Sequence, residues 1–133
     1  KLGLAFQIMD DALDYAADAD DMGKNTGDDF ADQKITMPTI IAWQQGDAEE
    51  RTFWQRTLGE ASFAEGDLAI AQRLLSQHNA IEQSLTAARA YATEAHDRIL
   101  AHCADRAAKD KNTSLEIGNA LADAAIFAAA RCG

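Results

Sequence analysis

Apolar residues recur at helical spacing along nearly the whole chain, and the breaks fall at residues that start or stop helices. Leu4, Ala5, Ile8, Met9, Ala12, Leu13, Tyr15 and Ala16 share one side of a first helix reaching about Ala17. A polar stretch, Asp18 to Ile35, reads as a loop. Thr36 then caps a second helix, with Pro38 in its first turn, Ile40, Ile41 and Trp43 as its apolar positions, and Gly46 at its end. Asp47 caps a third helix ending near Leu58, before Gly59. Gly66-Asp67 opens a fourth, with Leu68, Ala71, Leu74 and Leu75 on one face. A long helix runs from about Asn79 to about Cys103, carrying the stripe Ile81, Leu85, Ala88, Ala92, Ala95, Ile99 and Cys103. Ala104 to Asn112 reads as a charged connection. Thr113-Ser114-Leu115-Glu116 is a capping box before a last helix with Ile117, Leu121, Ala124 and Ala128 inward. Six closely spaced helices without a repeat predict an all-α bundle.

Composition supports this: hydrophobic residues are 47% of the chain, there is one proline, and aromatics are few. No apolar run approaches the roughly 20 residues that span a membrane, and nothing resembles a signal peptide. The formal net charge of −10 supplies no basic footprint for nucleic acid. Cys103 and Cys132 lack metal-ligand spacing and read as reduced thiols, which favours a cytoplasmic setting. The chain opens at Lys1 with an apolar helix already under way at Leu2. The expectation is therefore one part of a longer polypeptide.

The first helix also carries the candidate chemistry. At about 100° per residue, Gln7, Asp10, Asp11, Asp14 and Asp18 fall within an arc of roughly 100°. Like charges at these spacings destabilise a helix by a few tenths of a kcal/mol per pair, and burying unpaired carboxylates costs far more. Hard oxygen donors on a helix that is otherwise apolar point to a Mg²⁺ site facing a cavity. The competing reading is a solvated acidic face. Nine of the chain's 15 Asp lie in the first 32 residues, so a chance Asp-Asp-x-x-Asp is not rare. A second literal match, Asp28 to Asp32, lies just downstream.

The following loop supplies positive charge beside flexible backbone. Lys24 lies between Gly23 and Gly27, where a compact charge suits phosphate oxygens and the backbone can approach closely. Carboxylates and a nearby lysine together suit a metal-chelated diphosphate. The alternative for Lys24 is a loop lysine pairing with Asp20 or Asp21.

Phe6-Gln7-x-x-Asp10-Asp11-x-x-Asp14, then Gly23-Lys24-x-x-Gly27-x-Asp29, then Lys34-x-Thr36-x-Pro38, resembles the trans-polyprenyl diphosphate synthases. The wording Gly-Lys-Asn-Thr-Gly-Asp-Asp is most similar to the octaprenyl and decaprenyl enzymes that make quinone side chains. The resemblance implies the C-terminal part of an isoprenoid-synthase-type helical bundle, usually homodimeric. It implies that Asp10, Asp11 and Asp14 hold Mg²⁺ against an allylic diphosphate and that Lys24 contacts that diphosphate. Gln7 would lie near the reacting allylic carbons with Phe6 beside it, and Asp29 and Lys34 would be polar positions of the following loop. The implied reaction ionises the allylic diphosphate, and the double bond of isopentenyl diphosphate attacks the cation.

Two positions depart from the family pattern: Gln33 and Ile35 stand where Gly and Pro are usual. The first aspartate-rich motif and the isopentenyl-binding residues are not in these 133 residues, so the chain alone is expected not to turn over. One rival is a non-catalytic helical subunit. Another is a calcium loop, with Asp18, Asp20 and Gly23 at the right spacing but Met22 where an oxygen ligand belongs and Asp29 at the last position. His78, His96 and His102 have no metal spacing, and Trp43, Phe53, Trp54 and Phe63 read as core or interface.

Overall fold

The computed structural model describes residues 1–16, 27–109 and 115–130, and every described element is helical. These are α1 (Leu2–Ala16), α2 (Asp28–Ala31), α3 (Met37–Gln45), α4 (Ala48–Trp54) running into a π-helical turn (Gln55–Gly59), α5 (Asp67–Gln77), α6 (Ala80–Lys109) and α7 (Leu115–Ala130). The chain divides into two compact units: residues 10–85, and residues 1–9 with 86–133. Among the described residues no helix is long and apolar enough to cross a membrane.

Side-chain caps place the helix starts where the sequence puts them. Asp47 accepts from the N–H groups of Glu49 (2.9 Å) and Glu50 (3.0 Å), and the Glu50 carboxylate accepts from Asp47 N–H. At α3 the Thr36 N–H donates to Thr39 Oγ1 at 3.0 Å, and Pro38 occupies the first turn. At the end of α4 the chain widens into a π turn closed by Glu60 N–H to the Gln55 carbonyl and Ser62 N–H to the Arg56 carbonyl. Arg56 then holds the next connection. Its guanidinium grips the nearly buried Asp67 carboxylate through two 2.8 Å bonds, and Asp67 also accepts from Ala64 N–H.

The core of residues 10–85 gathers Tyr15, Phe30, Ala42, Trp54, Ala71, Leu74, Leu75 and Ala80. Phe30 is its aromatic centre, stacked on Phe53 and edge-on to Trp54 and Phe63. In the other unit α6 buries Ala88, Ala92 and Ala95, and α7 buries Ala122.

Several expectations are corrected. The stretch to Ile35 is not all loop, because α2 forms within it. The segment from Ala104 continues α6 as helix to Lys109, since Ala, Asp, Arg and Lys there include strong helix formers. Leu4 and Leu13 are exposed, so α1 buries the narrower face Ala5, Ile8, Met9, Ala12 and Tyr15. Ile40 and Trp43 are exposed on α3, which buries Pro38, Thr39 and Ala42. Leu121 and Ala124 are exposed on α7, because an Ala-rich helix gives periodicity little to choose between neighbouring faces. The capping hydroxyls of Thr113 and Ser114 lie outside the described residues.

Candidate diphosphate and metal site

Asp14 is where α1 meets the returning loop. Its carbonyl accepts from Gly27 N–H at 3.1 Å, and its carboxylate oxygen Oδ2 accepts from Asp29 N–H at 3.1 Å. Both donors belong to the entry of α2, so Asp14 supplies the cap that α2 lacks from its own N-cap residue, Gly27. Gly27 has φ +86°, and a Cβ there would stand 2.5 Å from Leu68 Cδ1, so glycine is required twice over.

The far end of α2 closes as a Schellman motif. Gln33 N–H donates to the Phe30 carbonyl at 3.1 Å and Lys34 N–H to the Asp29 carbonyl at 2.9 Å. The motif requires a left-handed residue, and Gln33 takes φ +58°. The contact that usually staples such a motif is apolar. Here it is an ion pair, Lys34 Nζ to Asp29 Oδ1 at 2.5 Å, with the Asp29 side chain 11% exposed and that of Lys34 55% exposed.

Asp14, Asp29 and Lys34 are thus brought together. Partial burial raises the Asp14 carboxyl above its ordinary value of 3.8, and repulsion from Asp29 and Asp28 adds to this. The Asp29 N–H and the Lys34 charge only offset part of the rise. Asp29 raises the Lys34 ammonium in turn, so Lys34 is charged at neutral pH. Asp10 is exposed and Asp11 half-exposed on the side of α1 away from its core face. Among the described residues no three carboxylate, imidazole or thiol groups converge tightly enough to make a cation cage by themselves.

Behind this cluster sits a feature the sequence did not flag. Tyr15 and Thr36 are both buried, and neither hydroxyl reaches good hydrogen-bond geometry with a protein partner. Burial drives the Tyr15 phenol far above its usual range, a nearby Thr36 hydroxyl draws it partly back, and Asp14, Asp29 and Asp11 push it up again. The only signal in the sequence was position: Tyr15 follows Asp14, and Thr36 lies two residues after Lys34.

Of the other expected residues, Phe6 and Gln7 are exposed on the stretch of α1 that belongs to the other unit. Lys24, with Asp18, Asp20 and Gly23, lies outside the described residues. Asp28, Asp29 and Asp32 do not act as a set: Asp29 is turned to Lys34, and Asp32 is the C-cap of α2. That same commitment of Asp29 opposes a calcium loop ending at this residue. Asp10, Asp11 and Asp14 are hard oxygen donors on one helix, and the Asp14 carboxyl is held above its normal pKa chiefly by burial.

The fold is an all-α arrangement in which an acidic helix is met by a lysine-bearing turn. Residues 1–75 match the polyprenyl synthetase family model, and the chain belongs to that family. It is 47% identical over 72 residues to an all-trans-nonaprenyl-diphosphate synthase (geranyl-diphosphate specific) of Rhodobacter capsulatus, covering 53% of this chain and 22% of that protein. It superposes on a decaprenyl diphosphate synthase from Rhodobacter capsulatus with TM-score 0.77 and 33% identity, over 99% of this chain and 38% of the other. A polyprenyl synthase from Caulobacter crescentus, complexed with calcium and isoprenyl diphosphate, gives TM-score 0.72 and 34% identity, over 99% and 37%. The chain spans less than a third of the length of the curated relatives it matches, 22% and 30% of the first two.

Proposed function

We propose that these residues are the C-terminal part of a polyprenyl synthetase domain that condenses isopentenyl diphosphate with an allylic diphosphate. The product would be a long polyprenyl diphosphate of the kind that becomes a quinone side chain. The observation that carries this is the Asp14 junction, where a carboxyl raised by burial and by the nearby Asp29 and Asp28 charges lies beside a charged, accessible lysine. Octaprenyl and nonaprenyl synthases among the relatives, and the diphosphate ligand of the Caulobacter protein, support the substrate class.

In this reading Asp10, Asp11 and Asp14 would hold Mg²⁺, which when bound supplies positive charge to the departing diphosphate. Lys24 binds the same diphosphate through a point charge, and Lys34 adds its exposed ammonium beside it. Asp29 fixes Lys34 and, through its N–H, the orientation of Asp14. Gln7 and Phe6 are assigned to the allylic portion, where an amide dipole and a ring stabilise a developing cation without attacking it. Tyr15, kept neutral by burial, can donate a proton to a hydrogen bond but does not ionise at working pH. Mg²⁺ as the particular metal, a homodimeric assembly and a cytoplasmic setting belong to the same proposal.

Its test is prenyl transfer by the complete protein with Mg²⁺, an allylic diphosphate and isopentenyl diphosphate. Asp10→Ala is expected to lower turnover by at least about 10²-fold, the scale of a lost charge-stabilising group. Unchanged turnover would remove the acidic face of α1 from the mechanism.

A further inference from the structure

An apolar cleft of about 340 Å³ opens on a different part of residues 10–85, walled by Ile35, Ile40, Trp43, Trp54 and Leu58. It shares no residue with the acidic face of α1. Ile35, Ile40 and Trp43 are the walls that face solvent, at 69%, 42% and 46% exposure. A soluble surface does not ordinarily gather three large apolar side chains around one hollow. The volume lies at the small end of the range for ligand pockets. At about 30 Å³ for a water- or methylene-sized group, it holds roughly eleven such groups, or two to three isoprene units.

The cleft has a charged edge. An adjoining hollow shares Trp43 and Gln55 with it and adds Arg51, Thr52, Arg56 and Glu60. Arg56 is committed to Asp67. Arg51 lies 5.3 Å from the Trp43 ring centre and donates from Nε to the Trp43 carbonyl (3.1 Å) and from Nη2 to the Gln44 carbonyl (2.9 Å). These bonds fix its guanidinium against the rim without neutralising it. Among the described residues no carboxylate lies within ion-pair distance of Arg51, in a chain whose formal net charge is −10. A positioned cation beside an apolar slot selects a ligand with an apolar tail and an anionic end.

We propose that this cleft is a second, metal-independent binding site for a prenyl diphosphate, with the tail between Ile40, Trp43 and Trp54 and the anionic end at Arg51. The site follows from the cleft and Arg51 alone. The choice of a prenyl tail rests on the prenyltransfer reading.

Both tryptophans of these 133 residues, Trp43 and Trp54, line the cleft, so a ligand-induced change in tryptophan fluorescence that Trp43→Phe diminishes reports on its occupancy. The experiment titrates the protein in EDTA with farnesyl diphosphate, with farnesol and with inorganic diphosphate. Farnesyl diphosphate should give a saturable change, at least about tenfold tighter than farnesol, and inorganic diphosphate should give none. Arg51→Gln should erase the difference between farnesyl diphosphate and farnesol, and Arg51→Lys should largely keep it. Ile40→Asn, at an exposed position the fold tolerates, should weaken both prenyl ligands. Asp14→Asn should change nothing in this titration. The proposal is overturned if no saturable change occurs, or if Arg51→Gln and Ile40→Asn leave the affinities intact. It is equally overturned if Asp14→Asn abolishes the signal, which would place the ligand at the acidic face. Cleft binding in EDTA together with absent Mg²⁺-dependent transfer by the complete protein would remove the prenyltransfer reading and leave the cleft standing.

Discussion

Asp14 does two jobs with one side chain: it closes the entry of α2 and contributes to the acidic face. Its raised pKa sets the sign of a pH effect. A carboxyl raised in the folded state favours its protonated form there, so its contribution to stability is present at low pH and is lost as pH rises through the raised value. A bound cation reverses that cost, and cation affinity should therefore fall as pH drops toward the window above 3.8 where Asp14 takes up its proton. Mg²⁺-dependent thermal stabilisation, followed from pH 7 downward, should fade in the wild type and be small throughout in Asp14→Asn. Asp67 has the opposite sign. Its pKa is lowered by Arg56 and by the Ala64 N–H, so the stability it lends is present above 3.8 and lost as pH falls below the depressed value. Arg56→Gln should lower the thermal midpoint at pH 7 and flatten its acid dependence. An unchanged midpoint would show that the exposed edge of the pair is screened into insignificance. At this scale the candidate carboxylates were legible because spacing alone sets their direction on a helix. The Asp14–Asp29 bond was not, because it joins residues 15 apart through a turn.

At the scale of elements, α2 shows why local signals failed. Asp28-Asp29-Phe30-Ala31 is one turn without periodicity, and it exists because Asp14 caps it, Phe30 anchors it in the core and Lys34 staples its end. Longer helices were read correctly from their caps, as at Thr36, Asp47 and Gly66-Asp67. The faces of α3 and α7 were misread because apolar residues surround both helices, and pattern alone then cannot choose the inner side. The two left-handed residues that bracket α2 should respond in opposite ways. A non-glycine residue in this conformation costs roughly 1–2 kcal/mol, against about 0.5–1 kcal/mol for the extra freedom glycine brings to the unfolded chain. Gln33→Gly, at φ +58°, should therefore stabilise by about 0.5–1 kcal/mol, whereas Gly27→Ala should destabilise by at least about 1 kcal/mol. Denaturant midpoints of the two variants decide it, and a stabilising Gly27→Ala would contradict the assigned turn. Lys34 and Asp29 hold the strained Gln33 in place at the end of α2.

For the whole molecule, net charge blurs any test that relies on cations alone. A formal charge of −10 means that added salt relieves self-repulsion whether or not a specific site exists. Mg²⁺ must therefore be compared with monovalent salt at equal ionic strength. The all-α class was legible from helical spacing and composition along the chain, and the family from ordered motifs within the first 38 residues, a region that the match over residues 1–75 covers. Beyond it, the helices after Leu75 carry little that identifies them, being Ala-rich bundle elements with generic stripes. In the proposed site Asp10, Asp11 and Asp14 bind a divalent cation together with a diphosphate. The most direct measurement is calorimetric titration of a non-reactive allylic thiodiphosphate into the complete protein at pH 7, with Mg²⁺ and with monovalent salt at matched ionic strength, for wild type and Asp14→Asn. Mg²⁺-dependent binding is expected in the wild type, and Asp14→Asn should weaken it at least about tenfold. Equal binding by both proteins, or binding indifferent to Mg²⁺, would contradict the proposed site.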